Sequence, residues 1–293
     1  HAPNVVGTAY RAWPIEEPYD ENGNFAEVQG NGNPLAAIEY TNSRTESYRL
    51  VSNMFAEIDF LQHFRFKTSY QINLENNRYR SFTPQYEVSP TQQNQRSALS
   101  KSFSEDQSWI FENTLTYDNS FKDHSLTVMA GYTAQKNNYE SPEVTVYDLI
   151  RDDPLFWYLN AATNDTLFNF GSSEYTTSMT SYLFRTNYNY KDRYLFTASF
   201  RADGSSKFSK GNRWGYFPSL ALGWNISREP FFPESEFVDN LKIRSSWGMI
   251  GNEKISWDDR YALISNAGAV FGKDEALQAG ATYFGAGNSD IRW

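Results

Sequence analysis

The chain of 293 residues contains no cysteine, which excludes disulfides and thiolate metal sites. It has no run of about 20 apolar residues, so no membrane helix is encoded. Mean hydropathy is −0.65, a value that by itself describes a soluble protein of one or two domains. That inference is unsafe, because strands that alternate lipid-facing and lumen-facing residues dilute their own hydropathy signal. Basic charge is in deficit: the net charge of −9 argues against a nucleic-acid partner, which would want a basic face. Histidine is scarce, with three in the chain. His1 is not an initiator and no leader precedes it, and Asp290-Ile-Arg-Trp293 lacks a terminal strand signature. The chain is therefore expected to be an internal stretch of a longer protein, with an N-terminus made by signal cleavage the other reading of His1 taken alone.

Aromatics, by contrast, are abundant: 20 Tyr, 22 Phe and 8 Trp make up 17% of the chain. Girdles at two membrane interfaces, a sugar-binding surface and a large soluble β-core each call for such an excess. Period-two segments narrow the choice. From Phe64 to Glu75, Phe64, Phe66, Thr68, Tyr70, Ile72 and Leu74 share one face, and Arg65, Lys67, Ser69, Gln71, Asn73 and Glu75 the other. This exceeds the ~5–6 residues of an ordinary strand and suits a tilted membrane strand of ~9–11. Similar alternation recurs around 109–117, 126–134, 182–190, 194–201, 220–226 and 241–247, and a further strand is expected around Arg49 to Phe60.

Connections of two kinds separate these segments. Leu61-Gln62-His63, Asn119 to Asp123 and Lys191-Asp192 read as tight hairpin turns. Asn76 to Asp106, Asn137 to Ser178 and a shorter stretch at Gly204 to Arg213 read as long polar loops, with Pro230 to Asp239 a longer connection on the tight-turn side. Short periplasmic turns alternating with long extracellular loops are the pattern of an outer-membrane barrel, whereas a β-sandwich has medium loops at both ends. The expected fold is all-β: a transmembrane antiparallel β-barrel. Residues 49–249 are consecutive barrel strands, and 1–48 and 250–293 are extracellular loop regions. Asp20 to Asn24 is expected to be an external turn, since Asn22-Gly23 readily takes positive φ. Gly204 is read as a turn glycine, Gly248 and Gly251 as positions at a strand end with no room for bulk, and Trp214, Tyr216 and Phe217 as the start of a strand at an interface girdle.

The most specific text is Arg193-Tyr-Leu-Phe-Thr-Ala-Ser-Phe-Arg-Ala-Asp-Gly-Ser-Ser-Lys-Phe208. It is followed by Asn212-Arg-Trp-Gly-Tyr-Phe-Pro-Ser219, Gly223-Trp224 and Leu241-Lys-Ile-Arg-Ser-Ser-Trp-Gly-Met-Ile-Gly-Asn252. These blocks resemble the central barrel of the SusC/RagA family of TonB-linked (TonB-dependent) outer-membrane proteins. Tyr48 to Tyr70 and the Tyr19 to Gly23 turn before Asn33-Pro34-Leu35 are similar to that family as well. The resemblance implies a 22-stranded barrel, of which about eight strands are present here. It also implies import of oligomeric nutrients, glycan or peptide, with a SusD-like surface lipoprotein as lid and the TonB complex as motor. The family's plug, TonB box and small β-sandwich extension are not found in these residues, so coupling to TonB is expected of the parent protein in the outer membrane of a Gram-negative bacterium.

A search for chemistry returns little. His63 and His124 lie in or beside turns, with no G-x-S-x-G elbow and no second metal ligand at helical or hairpin spacing. Asp20-x-Asn22-x-Asn24 opens like a calcium loop, but Phe25 stands where glycine is required. Gly285-x-Gly287 lacks a dinucleotide context. No enzyme activity, cofactor or metal is expected. The candidate contact residues are Phe156, Trp157 and Tyr158, within Arg151 to Leu159, with Trp13 and Tyr19 beside them. An exposed apolar cluster there reads as a docking surface for the lid or a platform for substrate; equally, it reads as a loop packed on its own aromatics. Inward charges such as Arg65, Lys67, Arg185, Arg193 and Arg201 tune passage or solvate the wall. Two other functions stand beside import: a soluble β-rich carbohydrate-binding or adhesin module, and an outer-membrane hydrolase using His63 or His124.

Overall fold

The structure is a computed structural model and describes residues 5–13, 15–28, 32–164, 167–233, 237–271 and 276–293. His1, and residues 234–236 of the expected connection between Pro230 and Asp239, lie outside the described residues. Helices α1 (Val5–Arg11) and α2 (Pro34–Glu39) precede twelve strands: β1 (Asn42–Phe60), β2 (Phe64–Thr83), β3 (Tyr86–Ser89), β4 (Gln92–Asn94), β5 (Ala98–Phe121), β6 (His124–Tyr147), β7 (Phe168–Tyr190), β8 (Tyr194–Ser205), β9 (Trp214–Asn225), β10 (Lys242–Gly248), β11 (Leu263–Phe271) and β12 (Ala276–Gly285). Eight of them form one sheet in the order β1-β2-β5-β6-β7-β8-β9-β10; β3 pairs with β4, and β11 with β12.

The register explains why period two was visible. Across β7, β8, β9 and β10, Tyr190 faces Tyr194, which faces Trp224, which faces Ile243; Thr186 faces Ala198, then Leu220, then Trp247. The intervening rows are polar: Asn187 faces Thr197, and Arg185 faces Ser199, which faces Ser219. Hydrogen bonds run along the polar rows, from Thr197 to Asn187 at 2.9 Å and between the Ser199 and Ser219 hydroxyls at 2.6 Å. One face is thus a continuous apolar surface with Leu222 61% and Trp247 60% exposed, which only another apolar medium would cover.

The strands are longer than the sequence pattern indicates. β5 and β6 each run for 24 residues, and β2 continues past Glu75 to Thr83. The expected loops of 76–106 and 137–178 therefore shrink, because β5 begins at Ala98, β6 ends at Tyr147 and β7 begins at Phe168. β1 likewise begins at Asn42, ahead of Arg49. The added lengths are mostly polar, with isolated apolar residues such as Phe82, Leu99 and Val146, so they lack a sustained hydrophobic alternation while keeping the strand hydrogen bonds.

Two compact units are distinguished, each holding parts of several strands. The unit of Val51–Asn73, Gln107–Asn138 and Tyr175–Trp293 contains the tight turns. Two of these are two-residue turns with both residues in the left-handed region, Leu61-Gln62 and Lys191-Asp192, and no glycine relieves them. Neighbouring turns are chained instead: the Lys191 N–H donates to the Asp123 carbonyl at 2.8 Å, the Arg228 guanidinium to Asp192 Oδ2 at 2.7 Å, and the Asp118 N–H to the His63 carbonyl at 2.8 Å. In the same unit Gly204 is not a turn glycine. It pairs with Thr180 and Trp214, has no positive φ, and lies under the Trp214 indole, where an added Cβ would sit 3.0 Å from the ring. At Gly251 an added Cβ would meet the Phe217 ring at 2.1 Å, and at Gly248 the Ser219 Cβ at 2.9 Å, so bulk is excluded at this strand end as expected.

The other unit, His1–Leu50, Leu74–Asp106 and Tyr139–Glu174, is organised on Asn33 and on a small apolar core of Phe82, Leu99, Val146 and Leu149. Asn33 is fully buried; it caps α2 by accepting from the Leu35 and Ala36 N–H groups and donates its amide to the Pro18 and Ala26 carbonyls. Its backbone is clamped by Gln92, which accepts from the Asn33 N–H at 2.6 Å and donates to the Asn33 carbonyl at 2.9 Å. Gly32, at φ +77, lets the chain turn there against the Gln92 side chain.

Candidate functional site

The segment between β6 and β7 closes on itself. Leu149 bridges Ala162, the Ile150 N–H donates to the Ala161 carbonyl at 3.0 Å, and the Leu149 N–H donates to Ser97 Oγ at 2.9 Å. Inside this neck, Asp153 caps a 3-10 turn over Pro154–Phe156 by accepting from the Leu155 N–H at 2.8 Å. Proline at the first turn position fixes φ and has no donor to leave unpaired, so Asp153-Pro154 is the local signal that sets the loop's shape.

The three aromatics that the sequence groups together separate in space. Trp157 turns inward: its ring stacks on Phe82 with centroids 4.7 Å apart, its indole N–H donates to the Asp152 carbonyl at 3.0 Å, and the Arg80 guanidinium lies 4.8 Å from its centroid. Phe156 and Tyr158 stack on each other at 6.4 Å, with Arg151 5.5 Å from the Phe156 ring. Tyr158 is 43% exposed and Leu155 80%, so the outward surface consists of Ile150, Leu155 and Tyr158, with Phe156 half-buried beside an inner Trp157. Sequence reading missed Leu155 and Ile150, whose only signal is adjacency to the aromatic run. It also missed Phe82 and Arg80, which are distant in sequence.

Trp13 and Tyr19 are both exposed. Tyr19 begins an aromatic stack through Phe25 and Tyr40 to Tyr86, with centroid separations of 5.5, 5.6 and 4.3 Å. The turn between Tyr19 and Phe25 uses Asp20 internally: its carboxylate accepts from the Asn22 and Asn24 N–H groups and the Asn24 amide, and Gly23 takes φ +82. These bonds, the Asn24 backbone first, hold the Asp20 carboxyl below the ordinary carboxylate range. It is an Asx turn whose oxygens are occupied by the chain itself. His63 Nδ1 lies 3.1 Å from the Asp118 carbonyl, and His124 Nδ1 lies 2.7 Å from the Tyr188 hydroxyl.

Eight strands in one sheet, with an apolar and a polar face and with tight turns after β1, β5 and β7, define wall strands of the outer-membrane barrel class. No family model matches the chain. It is 29% identical over 296 residues to TonB-dependent receptor P3 of Formosa agariphila, covering 99% of this chain and 29% of that protein. TonB-dependent receptor P39 of the same organism is 30% identical over 297 residues, 99% of this chain and 26% of that one. TonB-dependent receptor SusC of Bacteroides thetaiotaomicron is 40% identical over 124 residues, 40% of this chain and 12% of SusC. In fold, the solved RagAB peptide transporter matches with a TM-score of 0.80 at 22% identity over 94% of this chain and 31% of that one. The RagAB peptide importer in its open-open state matches at 0.77. The chain is a SusC/RagA-like segment of a TonB-dependent receptor, and it spans less than a third of the length of these full-length relatives. The proteins it resembles are named as receptors and transporters, and TonB-dependent receptors are outer-membrane proteins of Gram-negative bacteria.

Proposed function

We propose that these residues form part of the wall and outer loops of a TonB-dependent importer in the outer membrane of a Gram-negative bacterium. The cargo is an oligomeric nutrient, glycan or peptide, taken up with a SusD-like surface lipoprotein as lid. The observation that carries this reading is the two-faced sheet. Rows such as Tyr194, Trp224 and Ile243 offer lipid a continuous apolar surface, while Thr197, Asn187, Ser199 and Ser219 give the lumen a hydrogen-bonding one. In this reading residues 49–249 are wall with its loops, 1–48 and 250–293 are on the extracellular side, and the TonB complex acts through a plug supplied by another part of the protein. No bond is made or broken; the protein gates binding and passage.

Phe156 and Tyr158, with Trp157 as their support, are proposed as the contact with lid or cargo, and Trp13 and Tyr19 as a second contact. Support comes from the outward placement of Leu155 and Tyr158 on a loop whose neck is fixed by backbone bonds. The test is growth of a strain carrying the whole protein, with and without a working TonB, on oligosaccharide or on oligopeptide as sole source. TonB-dependent growth on one of them supports import and names the cargo class. Growth on neither, or growth indifferent to TonB, overturns it.

A further inference from the structure

On β2 the apolar side carries Phe64, Phe66, Tyr70, Ile72 and Leu74, and by period two the same side continues through Arg78, Arg80 and Phe82. Hydrogen bonds on the opposite side fix which residues of the neighbouring strands join this one. Ser47 bonds Asn77 at 2.5 Å, Asn77 bonds Ser104 at 3.4 Å, and Ser100 bonds Thr145 at 2.8 Å. Arg44 and Glu46 of β1, Lys101 and Phe103 of β5, and Val144 of β6 therefore share the side of Arg78 and Arg80. They line a cleft of about 570 Å³.

The cleft carries more basic than acidic side chains in an acidic chain, with Glu46 and Glu143 the two acids of its lining. Four cations, Arg44, Arg78, Arg80 and Lys101, face one another across three strands, and Arg44 is the one held by an acid, Glu46, at 2.8 Å. Arg78 and Lys101 have no salt bridge among the described residues. Arg80 is packed under Trp157, and its Nε is buried without a hydrogen-bond partner. Such convergence is costly in self-repulsion unless an anion completes it, and the guanidinium fork matches phosphate oxygens. Phe103, Pro142 and Val144 give the wall an apolar part beside the polar Ser102 and Glu143, which suits a headgroup with hydrocarbon attached better than a free ion.

We propose that this cleft binds the phosphorylated headgroup of an outer-leaflet lipid. The proposal rests on the membrane placement given above. Arg78 and Lys101 are the recognition residues; Arg80, tied to the Trp157 loop, couples the headgroup to the surface proposed to meet lid or cargo.

The experiment uses the full protein in detergent, with diphosphorylated lipid A as probe, phosphatidylcholine as the zwitterionic control and retained lipid read by native mass spectrometry. Wild type retains lipid A in preference to phosphatidylcholine. The double variant Arg78→Gln/Lys101→Gln binds it on the order of tenfold more weakly, as expected for two lost basic contacts. A Lys210→Gln/Lys254→Gln control, which removes equal charge from exposed loops, behaves as wild type. Millimolar inorganic phosphate leaves the lipid bound. Equal retention by the Arg78/Lys101 variant and wild type overturns the proposal, and displacement by inorganic phosphate overturns it in favour of a soluble-anion site. Should the double variant lose its folded, heat-modifiable migration, Arg78→Lys is read instead; it keeps charge and drops the fork, and a several-fold loss is expected, with none overturning the proposal. A protein that stays in solution without detergent sinks the membrane reading itself, an outcome distinct from failure of the cleft alone.

Discussion

The indole N–H of Trp224 donates to Glu229 Oε1 at 2.9 Å, tying the end of β9 to the connection that follows it. The other carboxylate oxygen lies 3.4 Å from the Arg193 guanidinium. Hydrogen bonds from Tyr194 and then Trp224, with the Arg193 charge beside them, hold the Glu229 carboxyl below its ordinary value of 4.5. A carboxyl depressed on folding contributes stability that is present above the unfolded-state value and is lost as pH falls through the folded one. Thermal unfolding of the wild-type protein should therefore shift downward on acidification below pH 4.5 by more than that of Glu229→Gln. Parallel shifts in the two proteins across that range would remove this role for Glu229.

The two faces of β2 offer a direct test of the membrane placement. Tyr70 shares its side with Trp109 and Phe111, at ring separations of 6.2 and 6.5 Å, while Ser69 points to the other. Phe66→Arg or Tyr70→Arg should cost ~2–4 kcal/mol near the midplane, and Ser69→Arg much less. Urea titration of the protein in lipid vesicles measures both, and equal tolerance at the two faces contradicts a lipid-facing side.

Asn33 joins four segments through one side chain and one backbone clamp. Asn33→Ala removes the cap of α2, worth ~0.5–2 kcal/mol, and leaves the Pro18 and Ala26 carbonyls without their donor. Hydrogen exchange should quicken over Pro34–Glu39 and around Gln92, with β8 and β9 unchanged. Protection unaltered near Gln92 would mean that the clamp is not a structural link.

Trp157 and Tyr158 are adjacent and should respond differently. Trp157→Ala strips the stack on Phe82 and the cation–π contact with Arg80, with a local loss on the order of 2 kcal/mol for a half-buried ring. Tyr158→Ala should leave melting unchanged while weakening capture of lid or cargo in a binding assay. Loss of stability from Tyr158→Ala, with none from Trp157→Ala, would reverse the assignment of inner and outer rings.

Gly251→Ala places a methyl group on the Phe217 ring, which must move aside. Overpacking of this kind costs about 1–3 kcal/mol. A calorimetric comparison with Gly23→Ala separates the two causes of glycine retention, since Gly23 has open space around it and is held by φ +82 alone.

What could be read from the residues depended on contrast. In β2, Phe66 against Lys67 and Tyr70 against Gln71 give both the strand and its faces, and seven such segments with the strand expected around Arg49 to Phe60 correspond to the eight strands of the sheet. From Asn76 to Ser81 only Tyr79 breaks a polar run, so the same strand reads as a loop although its backbone pairing continues. The Asn22-Gly23 turn was legible because its requirement is local, and φ is +82 at Gly23. Trp157 was found but not its direction, because Phe82 and Arg80, which turn it inward, are brought to it by strand pairing that no local pattern encodes. The cleft at Arg78 and Lys101 was hidden for the same reason: its cations come from three strands, and none of those strands is basic overall.

Setting aside the small β3–β4 hairpin, strand order in the sheet equals chain order, so every strand joins the one made just before it. An assembly of this kind grows by accretion, with no segment waiting for a distant partner and no crossover to be threaded. In hydrocarbon each unpaired backbone group costs several kcal/mol, so the number of open edges governs the barrier to insertion. Here that number stays the same however many strands have been added. Entry into the bilayer thus becomes a repetition of one modest step, paced by hairpins such as Leu61-Gln62 and Lys191-Asp192 that can close before the rest of the sheet exists.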